Sequence, residues 1–222
     1  MITMKPIRNL LFDLDGTILD TNELIMRSFL HALQGVVPAD FGREQMIPYM
    51  GLTLVDQMKH FSGQEETSHL ISLYREMNMK LHDDLVVPFP HTAEVLERLK
   101  AAGFKLGVVT TKIRMSTEKG LRLTGLLDYM DAIVTLDDVD NPKPHPEPVL
   151  RAMEMLGAKP EETMMVGDSA VDIQSALEAG AVPVGVAWSL KGEALLREYG
   201  AAHVLQDMRD LYALLGLEQE AR

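Results

Sequence analysis

The chain of 222 residues contains no cysteine. Disulfides, thiolate nucleophiles and cysteine-ligated metals are excluded, and the redox compartment cannot be read from thiols. Positive charge is scarce: 21 Lys and Arg face 33 Asp and Glu, for a net charge of −12. A nucleic-acid partner is not expected, because a phosphate backbone requires a basic face. A small anionic substrate stays open, since a divalent cation and one or two lysines can supply local positive charge. Long apolar runs are also missing, and no stretch nears bilayer-spanning length. No membrane partner is expected, and without a signal-peptide core between Met1 and Arg8 the expected location is the cytoplasm. Internal repeats, low-complexity tracts and signs of an obligate protein partner are absent.

What is present is an ordinary globular composition, 46% hydrophobic and 24% charged, with length for one large domain or a domain carrying an insertion. The most informative segment is residues 7–17, Ile-Arg-Asn-Leu-Leu-Phe-Asp-Leu-Asp-Gly-Thr. Its apolar run, 10–12, leads into Asp13, Asp15 and Gly16, and reads as a buried strand that delivers two carboxylates to its carboxyl end. Side chains on a strand repeat with period two, so Asp13 and Asp15 reach one centre if the extended geometry persists that far. Open α/β sheets bind ligands at such strand ends. Against this stands a plain strand followed by an acidic turn, for which one Asp before the glycine suffices.

For about seventy residues after Gly16 the apolar spacing is helical. Leu24, Ile25, Phe29 and Leu33 mark one helix, with Gly35 and Pro38 ending it. Shorter helices are expected at 43–50 and 53–60, and a longer one carries Leu70, Leu73, Tyr74, Met77 and Leu81, introduced by a capping box of Ser62 and Glu65. Residues 86–90 read as a proline-rich linker. Beyond it helices (91–102, 115–124, 147–156, 170–179, 192–198) alternate with strands (105–109, 132–135, 163–166, 182–186) before a last short strand and helix. Such alternation implies right-handed crossovers and a parallel sheet covered on both faces. The expected fold class is therefore α/β, a Rossmann-like parallel sheet core with helices on both faces. An α-helical cap domain (18–85) is inserted into a core made of 1–17 and 86–222.

Strand ends in this arrangement gather chemistry along one edge. Residues 106–109 lead into Thr110, Thr111 and Lys112; Lys143 follows the next strand; 164–166 lead into Gly167, Asp168 and Ser169, with Asp172 four residues after Asp168. Singly, each has a plainer explanation: Thr110 as a helix N-cap, Lys143 as a solvated charge, Gly167-Asp168 as a strand-to-helix turn, Asp172 on a wet helix face. Together they place several carboxylates, a hydroxyl and a lysine at one edge. Clustered carboxylates call for a hard cation, and Mg²⁺ takes oxygen ligands from one or two carboxylates, water and phosphate. Magnesium-assisted phosphoryl transfer is the chemistry this implies. Asp137, Asp138 and Asp140 read as a polar loop, the fifteen Met as core filler, and Trp188 as packing or a cleft wall. The His residues show no ligand spacing.

Four motifs, Asp13 to Thr17, the strand into Thr110, Lys143, and Gly167 to Asp172, resemble the haloacid dehalogenase superfamily of phosphatases over nearly the whole chain. The helical insertion is similar to the small cap of its phosphoglycolate phosphatase-like branch, and Asp15 sets the chain apart from the dehalogenases proper. Core segments such as 108–112, 133–138, 143–148 and 185–189 resemble a bacterial pyrophosphatase branch. The resemblance implies a Mg²⁺-dependent hydrolase acting on pyrophosphate. Asp13 would be the nucleophile, Asp15 the acid and base, and Thr110 and Lys143 the contacts to the transferred group. Mg²⁺ would be held by the Asp13 carboxylate, the Asp15 carbonyl and Asp168, with Asp172 one shell out. Gly16, Thr111 and Lys112 are expected on the substrate side, Lys112 at the leaving phosphate. A phosphoglycolate phosphatase, a sugar-phosphate mutase and, from another class, a non-catalytic phospho-acceptor domain remain the alternatives.

Overall fold

The computed structural model describes residues 6–217. Strand β1 (Asn9–Phe12) is wholly buried and sits at the centre of a parallel sheet. The chain then forms β2 (Leu19–Asp20), α1 (Asn22–Ala32), α2 (Arg43–Met46), α3 (Leu54–Ser62), α4 (Ser68–Leu85) and β3 (Val87–Pro88). Next come α5 (Thr92–Ala101), β4 (Lys105–Val109), α6 (Arg114–Leu123), β5 (Ala132–Val134) and α7 (Glu147–Leu156). The last third holds β6 (Thr163–Gly167), α8 (Ala170–Glu178), β7 (Val182–Val186), α9 (Glu193–Glu198), β8 (His203–Leu205) and α10 (Asp210–Leu214). The sheet order is β5-β4-β1-β6-β7-β8, all parallel. The winding therefore reverses at β1, the position where doubly wound sheets open their ligand crevice.

Register brings the chemistry together. Phe12 pairs with Val108 on one side and Val166 on the other, so the residues that follow, Asp13, Thr110 and Asp168, leave the sheet at nearly one level. Alternation on β1 sends Leu10 and Phe12 into one core and Leu11 into the other, both lined by buried helix residues. Each such side chain contributes about 1.5–3 kcal/mol through burial, which makes β1 a stiff base for Asp13. The helices between β2 and β3 build a third core from Met26, Phe29, Met46, Met58, Phe61 and Tyr74, in which Phe61 meets Phe29 edge-on at 5.1 Å.

Several expected boundaries move. The linker at 86–90 is not plain coil: β3 pairs antiparallel with β2, Leu19 opposite Pro88 and Asp20 opposite Val87, a match of two short segments with no periodicity to reveal it. The Ser62–Glu65 capping box does not form. Ser62 belongs to α3 and donates its hydroxyl to Met58 O, Glu65 pairs with Lys59, and α4 starts only at Ser68. On α4 the inward stripe is Leu70, Tyr74, Asn78 and His82, half of it polar and so hidden from an apolar count. Pro48 turns the end of the expected 43–50 helix into a 3-10 turn, Ile47–Tyr49.

Candidate active site

Lys143 is 3% exposed and lies at the centre of the site. Its Nζ donates to Asp13 Oδ1 at 2.7 Å, to Asp172 Oδ1 at 2.5 Å and to Val109 O at 2.8 Å, which accounts for all three ammonium hydrogens. Burial pulls its pKa down, but the Asp13 and Asp172 carboxylates override this and hold it above the ordinary lysine value. Lys143 is thus a buried ion-pair hub and not a solvated charge. Asp172, the third residue of α8, is equally buried; its Oδ2 accepts the Ser169 backbone N–H (3.0 Å) and hydroxyl (2.6 Å). This box starts α8 and turns Asp172 inward.

Carboxylate oxygens of Asp13, Asp168 and Asp172 all lie within 4.8 Å of one another. Burial, then the repulsion of neighbouring carboxylates against the pull of lysines, holds Asp13 and Asp168 above the usual carboxylate range. A hard cation among them would offset that repulsion. Both Asp172 oxygens already have partners, which leaves Asp13 and Asp168 as the better donors and fits a hard cation with oxygen ligands. Asp168 has a neighbour that motif reading missed: Lys191, 5% exposed along its side chain, with Nζ 3.6 Å from Asp168 Oδ2. Lys191 follows β7, so the rule that selected lysines after strand ends would have found it. Gly16 (φ +84°) passes so close that a Cβ there would meet Asp168 Oδ2 at 2.7 Å.

Asp15 faces another way. Regular strand geometry stops at Phe12, and the Asp15 carboxylate accepts from Thr21 Oγ1 (2.8 Å) and from Lys112 Nζ (2.9 and 3.0 Å). Lys112, expected at a leaving phosphate, keeps one hydrogen uncommitted by that pair. Thr110 is no N-cap: α6 starts at Arg114, and Thr110 Oγ1 accepts the Lys112 N–H at 3.2 Å, leaving its own proton to donate. Thr111 donates its proton to Gly51 O at 3.0 Å. Gly51 in turn (φ +99°) leaves no room for a Cβ, which would sit 2.8 Å from Ser169 Oγ, so the helical insertion touches the core directly above the carboxylates.

Between insertion and core lies one cleft lined at its base by Asp13, Asp15, Thr110, Lys112 and Asp168, and on the opposite wall by Tyr74, Arg75, Asn78 and Met79 of α4. Burial first, and the Asp15 charge second, raise the Tyr74 pKa and keep its hydroxyl protonated. Met79 and Met115 line this cleft and are 43% and 61% exposed, so these two are not core filler, while Met50 lines the cleft and also packs against the third core. Asp137 and Asp138 are tied to Arg114 and form a polar loop as read. Trp188 is packing: its indole donates to Thr17 O at 3.3 Å and its ring lies 5.7 Å from Phe89.

Comparison with known proteins places these features. A family model described as haloacid dehalogenase-like hydrolase matches residues 10–186. A curated relative, pyrophosphatase PpaX of Bacillus velezensis, is 44% identical over 217 residues, covering 98% of this chain and 100% of its own. PpaX of Bacillus mycoides is 44% identical over 209 residues, 94% of this chain and 97% of its own. A solved hydrolase of Pseudomonas syringae aligns at TM-score 0.82 and 26% identity over 95% of this chain and 98% of its own. Hydrolases of this family generally use Mg²⁺. The matched region runs from β1 through β7 and contains every strand that contributes a carboxylate or lysine to the cleft base, so the chain belongs to the haloacid dehalogenase-like hydrolases.

Proposed function

We propose that the chain is a Mg²⁺-dependent phosphohydrolase that works through an aspartyl phosphate on Asp13 and takes inorganic pyrophosphate as substrate. The observation that carries this is the buried Asp13–Lys143–Asp172 cluster at the winding reversal; the choice of substrate is supported by 44% identity to proteins named pyrophosphatase PpaX. A Mg²⁺ ion held by Asp13, Asp168 and the Asp15 carbonyl, with Asp172 behind them, would supply positive charge for the phosphoryl oxygens. An oxygen of Asp13 attacks phosphorus while the bond to the leaving oxygen breaks, and Asp15 passes its proton to that oxygen. Water then attacks the aspartyl phosphate, Asp15 takes the proton, and phosphate and free Asp13 result.

Lys143 suits this cycle because its hydrogens are already committed. As charge moves from the Asp13 carboxylate to the phosphoryl oxygens, the hydrogen bond at Oδ1 follows it by a small displacement, with no new group to desolvate. Thr110 donates its hydroxyl to the same oxygens. Lys112 orients Asp15 and offers its remaining hydrogen to the leaving group, while Thr111 and Gly16 hold the cleft edges. We read 18–85 as the cap over a core of 1–17 and 86–222, residues 1–5 and 218–222 of which lie outside the described residues. Steady-state phosphate release from pyrophosphate, phosphoglycolate and hexose phosphates tests the reading. A kcat/KM for pyrophosphate above the others supports it, and a tenfold preference for phosphoglycolate, about 1.4 kcal/mol, overturns the substrate while keeping the chemistry.

A further inference from the structure

The cleft base is largely committed: Lys143 has no uncommitted hydrogen, and Lys112 gives two of its three to Asp15. The outer cleft is apolar, with Ile113, Met50, Leu54 and Met115 among its walls. Among the described residues the cleft contains one further cation, Arg75 on α4, which is exposed and has no carboxylate partner there. Tyr74 and Asn78, its neighbours on the same helix, also line the cleft.

An unpaired guanidinium among apolar side chains, across the cleft from a phosphoryl-transfer site, is suited to one kind of ligand end. It offers a planar fork that matches phosphate or carboxylate bidentately, whereas a polyhydroxylated leaving group would need several free neutral donors, and those of Gln57, Asn78 and Thr111 in this lining are engaged with Leu52 O, Ser28 Oγ and Gly51 O. We infer that Arg75 reads the leaving group and selects substrates in which that group is short and anionic. The inference rests on the phosphohydrolase reading above and adds a specificity-determining residue on the cap that neither motif nor family model marks. Phosphate and carboxylate share the chemistry, and the test separates them.

Wild type, Arg75→Met and Arg75→Lys are compared on pyrophosphate, phosphoglycolate and p-nitrophenyl phosphate, whose leaving group carries no phosphate or carboxylate. Because Arg75 is exposed, the variants should fold, checked by unchanged thermal midpoints. For whichever anionic-leaving-group substrate wild type prefers, the ratio of its kcat/KM to that for p-nitrophenyl phosphate should drop about ten- to hundredfold in Arg75→Met, the range of one charged hydrogen bond, with partial recovery in Arg75→Lys. An unchanged ratio overturns the inference even if pyrophosphate is the wild-type substrate. A preserved drop with phosphoglycolate as the preferred substrate upholds Arg75 and overturns pyrophosphate. Wild type that hydrolyses only p-nitrophenyl phosphate overturns both.

Discussion

Lys112 Nζ sits between the two carboxylate oxygens of Asp15, 2.9 Å from one and 3.0 Å from the other. A side chain expected to hold the leaving phosphate thus first of all fixes the residue proposed to protonate it. Lys112→Met should therefore lower kcat on p-nitrophenyl phosphate as well as on pyrophosphate, by roughly 10- to 100-fold, the effect of losing a charged hydrogen bond. Rates on pyrophosphate and p-nitrophenyl phosphate measured side by side check this; a loss confined to pyrophosphate would show that leaving-group binding dominates.

Asp13→Asn should abolish turnover while the far-UV circular dichroism stays native, since the amide keeps the shape but cannot attack phosphorus. Residual activity above about 1% of wild type would exclude Asp13 as nucleophile, because losing a covalent nucleophile costs several orders of magnitude. Asp15→Asn should instead retain label on Asp13 after acid quench of a ³²P-substrate with a good leaving group.

Metal binding should be tied to pH. Asp13 and Asp168 are raised above their unfolded values, so their contribution to stability is full below the ordinary carboxylate range and declines as pH rises through the raised values. Metal-free protein should accordingly lose thermal stability from about pH 4 to about pH 8, the interval between the ordinary and the raised values, and added Mg²⁺ should restore progressively more of it while releasing protons. Differential scanning fluorimetry across that range, with calorimetry in two buffers of different ionisation enthalpy, measures both. A Mg²⁺ increment that is flat with pH would contradict the cluster as the binding site.

Gly51→Ala should strain the contact between insertion and core, because a side chain there needs positive φ and meets Ser169. A cost of about 1–3 kcal/mol is expected in chemical denaturation, along with a raised KM as the Thr111 bond to Gly51 O is disturbed. Wild-type KM in a destabilised variant would separate the contact from substrate binding.

Most of the candidate site's floor is legible in the sequence because its residues fall at strand ends, where spacing and sheet topology combine. Asp13, Lys143, Asp168 and Asp172 needed only the order of elements to be brought together. Asp15 and Lys112 were named but not paired, since their partnership depends on where regular strand geometry stops. Lys191 and Arg75 escaped for opposite reasons: Lys191 stands two residues beyond the matched segment 185–189, and Arg75 projects from a helix whose inward face is half polar, with Asn78 and His82 among its buried residues. An apolar periodicity count cannot tell which outward positions of such a helix face a cleft.

The two-stranded ribbon of β2 and β3 has a mechanical consequence. Both crossings between core and insertion run side by side and are laced together at Leu19–Pro88 and Asp20–Val87. Two adjacent tethers hydrogen-bonded to each other bend together and resist sliding and twisting, so any movement of α4 toward the carboxylates is expected to follow one arc. The insertion can change its sequence, and with it the side chains presented at the end of that arc, without disturbing the frame that aligns Asp13 and Lys143.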